Sequence, residues 1–83
     1  MFGIKPSKFT EFAGWYGVIA VIGAYAMVTF GIIDVGHFLY PLLNITGAIG
    51  FIIVAASKKV LQTVVMNIIW ALIALISVVR LLV

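Results

Sequence analysis

An all-α membrane protein, with three transmembrane helices in one compact antiparallel bundle, is the fold this sequence predicts. Three observations predict it. Of 83 residues, 66% are hydrophobic and only 8% are charged, whereas a soluble domain is about half apolar and about a quarter charged. The mean hydropathy is +1.39. The apolar residues also fall into three runs of about 20, the length that crosses a hydrocarbon core of roughly 30 Å. So large an apolar surplus must face lipid or other protein.

The runs come in order as Phe12–Ile33, Phe38–Ser57 and Val60–Val79, and none carries a charge. In lipid each backbone must satisfy its own hydrogen bonds, so the runs are expected as helices over about 12–33, 38–57 and 60–80. The alternation of a membrane β-barrel is absent. The joints "DVGH" (Asp34 to His37) and "SKK" (Ser57 to Lys59) are short. Short joints make consecutive helices antiparallel neighbours, and 1–83 reads as a single domain.

Ahead of the first run, Ser7 is placed to cap a helix that continues from Lys8. Lys8 and Glu11 are three apart and are expected to pair. Trp15, Tyr16 and, at the other side, Tyr40 suit an interfacial aromatic belt. The first run also resembles a signal peptide, with Lys5 and Lys8 ahead of it and "AYA" at Ala24 to Ala26. Cleavage is not expected, because the apolar run continues to Ile33.

Lys5, Lys8, Lys58 and Lys59 share one side of the predicted topology. The positive-inside rule therefore puts the N-terminus and the "SKK" joint in the cytoplasm, and "DVGH" and the C-terminus outside. Arg80 is the exception, a single charge able to snorkel to head groups. The net charge of +3 sits at the ends of the runs, which reads as topology and not as a nucleic-acid surface.

Small and polar residues sort onto one stripe per helix. They are Ala13, Gly17, Ala20, Ala24, Val28 and Gly31 on the first, and Asn44, Gly47, Ala48, Phe51 and Ala55 on the second. The third has Thr63, Asn67, Trp70, Ala71, Ala74 and Ser77. Small residues let helix backbones approach, which drives association in lipid. Tyr25, Asn44, Gly17, Gly47, Ala71 and Ala74 are the expected packing and polar-contact positions. Counting about 1.5 Å per residue from each joint puts Tyr25 level with Asn44, and Asn67 level with Phe51 and about 11 Å from Asn44. The stripes look wider than one three-helix contact needs, so a homodimer or higher homo-oligomer is expected.

Enzymatic constellations are missing. Glu11 and Asp34 lie outside the runs and on opposite predicted sides, so no carboxylate pair forms. There is one His and no Cys, which leaves no disulfide and no metal site in view. No glycine-rich phosphate loop occurs, because the glycines follow helix-packing spacing. A non-enzymatic protein without a cofactor, and without a nucleic-acid partner, is expected. Within the runs the chemistry left is neutral and polar. Asn67 can donate and accept, and Trp70 presents a ring on the same predicted face. Asn67 and Trp70 are candidate substrate-binding residues, for a small neutral solute.

Two resemblances bear on this. "GWYGVIAVIGAYAMVTFG", "FLYPLLNITGAIG" and "MNIIWALIALIS" resemble a family of very short bacterial inner-membrane proteins with no assigned activity. That family usually carries an acid where this chain has Asn67. The stretch "GAIGFIIVAASKKVLQTVVMNII" is similar to the bacterial half-size sugar transporters, the SemiSWEETs of the PQ-loop class. Those three-helix units dimerise around a solute pocket that uses a Trp in helix two and an Asn in helix three. The matching positions here are Phe51 and Asn67. The resemblances imply a bacterial inner-membrane location and a half-size transporter-like unit. The competing expectation is a structural or accessory subunit of a larger membrane complex.

Overall fold

The computed structural model of the chain describes residues 1–34 and 36–83. Three helices form: α1 Lys8–Thr29, α2 Leu39–Ser57 and α3 Leu61–Leu82. Each is long and apolar enough to cross a membrane. At about 1.5 Å per residue, 22 residues cover about 33 Å and 19 cover about 28 Å. The "DVGH" joint contains Val35, which lies outside the described residues.

The boundaries of α1 differ from expectation at both ends, for local reasons. It starts four residues before Phe12 because Ser7 and Thr10 make a reciprocal cap. The Ser7 hydroxyl accepts from the Thr10 amide at 3.3 Å, and the Ser7 amide donates to Thr10 Oγ1 at 2.9 Å. Such a pair satisfies two of the amides that a helix start leaves orphaned. Lys8 therefore sits in the first turn, and Glu11 pairs not with it but with Lys58 across the helices, at 2.6 Å.

At its other end α1 stops at Thr29, not Ile33. The Ile32 amide reaches the Met27 carbonyl and the Gly31 amide reaches Val28, with Gly31 at φ +74°. That is a Schellman stop, which needs a left-handed residue after the cap. Gly31 ends the helix and is not part of the stripe. The end of α2 repeats the pattern without a glycine. The Val60 amide bonds Ala55, the Lys59 amide bonds Ala56, and Lys59 takes φ +61°. The start of α2 has no hydroxyl cap; the His37 Nδ1 accepts from the Leu39 amide instead.

The three spans are antiparallel, with α2 in the middle. It packs on α1 by one side and α3 by the other, and the backbones of α1 and α3 do not come close to each other among the described residues. The trace measures 37 × 25 × 17 Å, and its long axis suits a bilayer.

The α1–α2 seam is built from glycine. A Cβ placed on Gly17 would stand 2.7 Å from the Gly47 carbonyl oxygen, and one on Gly50 would fall on the Ala13 carbonyl. Close backbone approach of this kind replaces the hydrophobic drive that lipid removes. Tyr16 closes the seam's outer edge by donating to Thr46 Oγ1 at 2.8 Å, so it is a helix contact as well as an interfacial ring. The α2–α3 seam is built on Ala55, Ala56 and Val64, with Met1 and Ile4 of the N-terminal segment packed beneath them. Buried positions are mostly small, and Val64 is the largest fully buried side chain. Large apolar side chains point outward, as a lipid-facing surface requires.

Candidate functional site

Two buried asparagines define the middle of the molecule. Asn44 on α2 and Asn67 on α3 are 6% and 4% exposed. Both treat their own helix alike. Asn44 Nδ2 donates to the Tyr40 carbonyl and Asn67 Nδ2 to the Thr63 carbonyl, each at 2.9 Å and one turn back. This local bond holds the amide against the helix and aims its oxygen away from the backbone.

The two oxygens meet different surroundings. Asn44 Oδ1 accepts from the Trp70 indole Nε1 at 3.2 Å. No donor reaches Asn67 Oδ1 among the described residues. No side-chain polar atom there is both sealed from its surroundings and unbonded. Asn67 Oδ1 therefore opens onto the space beside it, a cavity of about 180 Å³. Its walls come from all three helices: Val21 of α1, Asn44, Ala48 and Phe51 of α2, and Asn67 and Trp70 of α3 among them.

The structure thus brings Asn67, Phe51 and Trp70 to one cavity. The Asn67–Phe51 level follows from antiparallel hairpin geometry. Asn44 also lines this cavity but does not pair with Asn67; its oxygen takes the Trp70 indole, three residues further along α3. Tyr25 departs from expectation. It is 69% exposed and makes no bond to Asn44, because Ala24 holds the buried column and the next residue turns about 100° outward.

On α3 the buried stripe is Val64, Asn67, Ala74 and Val78, with Ala71 half-buried. It lies one residue round from the expected Thr63–Trp70–Ser77 column, so Trp70 stands half-exposed at the cavity edge and Ser77 is exposed. Val64 and Val78 keep the same three-four spacing as the polar residues, and that register is the signal that finds them. Gly17, Gly47 and Ala74 are buried at helix contacts. Val21, Met66 and Thr46 have no polarity or size pattern that marks them.

The Trp70–Asn44 bond is also a partition. On its far side lies a second, larger cleft of about 380 Å³, with Tyr40, Pro41, Ser77 and Arg80 in its walls. The inner cavity carries no ionisable side chain. Its offer to a ligand is the Asn67 amide oxygen, the Thr63 side chain, an indole and a phenyl ring, which suits a neutral molecule with a hydrogen-bond donor.

Three apolar spans with their small faces inward define a multi-pass α-helical membrane protein. Within that class, the sequence model of a family of small uncharacterised proteins matches residues 10–83, and the chain belongs to that family. No curated protein matches the chain, and no solved structure does. The similarity to half-size sugar transporters has no support from a homologue.

Proposed function

We propose that the protein is a half-size, transporter-like unit for a small neutral solute, acting as a homo-oligomer in a bacterial inner membrane. The carrying observation is the unpaired Asn67 Oδ1, which opens on a cavity shared with Phe51 and Trp70. The oxygen is open to the cavity, and a solute hydroxyl or amide N–H supplies the donor that the chain does not. Phe51 and Trp70 supply the apolar walls. A second copy packed over the mouth of the cavity closes it. The N-terminus is cytoplasmic and the C-terminus outside, from the lysines gathered at one end. No catalytic group, cofactor or nucleic acid enters this reading.

The test is uptake of a panel of small polyols, sugars and amides into liposomes holding the purified protein. The expected result is uptake of at least one solute that Asn67→Leu abolishes. Unchanged uptake in that variant, or no uptake of any solute by the wild type, ends the proposal.

A second reading is a structural or accessory subunit of a larger membrane complex. It is favoured by the Asn44 amide, which is satisfied wholly within the chain by Tyr40 and Trp70. Under it, Asn67→Leu alters partner pull-down or oligomer state and no flux exists.

A further inference from the structure

The outer cleft lies at the opposite end of the molecule from the lysines, between the first turns of α2 and the last turns of α3. Its rim holds the one cation of that end, Arg80, in the last turn of α3. Neither acid answers it. Glu11 is bound to Lys58 at the far end, and Asp34 makes no ion pair among the described residues. Arg80 also makes no hydrogen bond there, although a helix C-terminus offers carbonyls. The nearby Tyr40 hydroxyl likewise has no partner among the described residues. A guanidinium and a phenol hydroxyl, neither with an acceptor among the described residues, therefore line one cleft. The rest of the lining is mostly apolar, with Pro41, Trp70, Ile73 and Leu81, and Asn44 and Ser77 are its polar members.

We propose that this cleft binds one anionic phospholipid, its phosphate on Arg80 and Tyr40 and an acyl chain lying on Ile73 against Trp70. Two features select a lipid over a free anion. The cleft, about 380 Å³, is far larger than a phosphate ion needs, and its walls are mostly apolar. The donors also stand at the span's end, where head groups lie, while the apolar walls continue toward the hydrocarbon. A guanidinium holds a phosphate through paired N–H bonds, which an ordinary snorkelling contact does not require. The site is separate from the Asn67 cavity, because the Trp70–Asn44 bond stands between them.

The test uses Trp70 as its own reporter. In a Trp15→Phe background Trp70 is the sole tryptophan. Brominated phosphatidylglycerol is compared with brominated phosphatidylcholine at equal mole fraction. The wild-type cleft is expected to be quenched preferentially by the anionic lipid, and native mass spectrometry to retain one such lipid through detergent washing. Arg80→Gln is expected to weaken retention by roughly tenfold or more, the loss of a charge-assisted hydrogen bond. Tyr40→Phe is the milder second variant, expected to weaken it less and to keep the fold. Lys59→Gln, at the other end, is expected to change nothing. Equal quenching by both head groups, or retention unaffected in both cleft variants, overturns the proposal. Displacement of the lipid by millimolar inorganic phosphate overturns it too, because the ligand is then the free anion.

Discussion

Gly17→Ala tests whether the α1–α2 seam is set by backbone contact. The added methyl meets the Gly47 carbonyl oxygen at 2.7 Å, against the 3.3 Å or so at which carbon and carbonyl oxygen ordinarily touch. Both partners are fixed to backbone, so no rotamer relieves the overlap. The helices must separate by about 0.6 Å or slide, and a gap of that order forfeits about a quarter or more of each contact's dispersion energy along the seam. Overpacking of this kind costs about 1–3 kcal/mol. Alanine's better helix propensity returns about 1 kcal/mol. The expected net is a loss of up to about 2 kcal/mol. Gly23→Ala is the internal control, because nothing lies within 4 Å of its added methyl. It keeps the propensity gain and has no clash, so it is expected to stabilise by up to about 1 kcal/mol. The assay is reversible unfolding in mixed micelles, followed by circular dichroism. Variants that agree within about 0.5 kcal/mol, the ordinary scatter of neutral changes, refute the claim that close approach sets this seam.

Two further changes probe the polar partition and a helix stop. Trp70→Phe removes the donor to Asn44 Oδ1 and is expected to destabilise by about 1–2 kcal/mol; the same unfolding assay checks it, and an unchanged midpoint counts against the Trp70–Asn44 bond. Lys59→Gly relieves a left-handed non-glycine residue at φ +61°. It is expected to stabilise by roughly 1 kcal/mol, less whatever flexibility the unfolded chain gains.

How much of this was legible from residues alone depends on what each feature rests on. The spans rest on composition, and lipid leaves the backbone no alternative to helix, so their number and order could be read directly. The Ser7 cap is likewise local chemistry. The helix ends were less legible. Nothing in the hydropathy of "VTFGII" separates a continuing span from a Schellman stop, because Ile32 and Ile33 are as apolar as the helix before them. The register of α3 was obscured by polarity. Thr63, Trp70 and Ser77 draw the eye, but the central helix buries the column one residue round, where Val64 and Val78 fill the space. Asn67 belongs to both columns, which is why its placement survives the error. Tyr16–Thr46 and Glu11–Lys58 depend on the rotation of one helix against another, which no single-helix pattern carries.

The central place of α2 has a consequence for how the chain is made. Because every interhelical contact joins sequence neighbours, nothing in the first hairpin waits for the last span. The glycine seam can close in the bilayer while α3 is still in the ribosome, and α3 then docks on a finished surface. A chain ordered in this way has no long loop to close against entropy late in synthesis. It also leaves α3, like α1, held to the rest of the bundle along a single side.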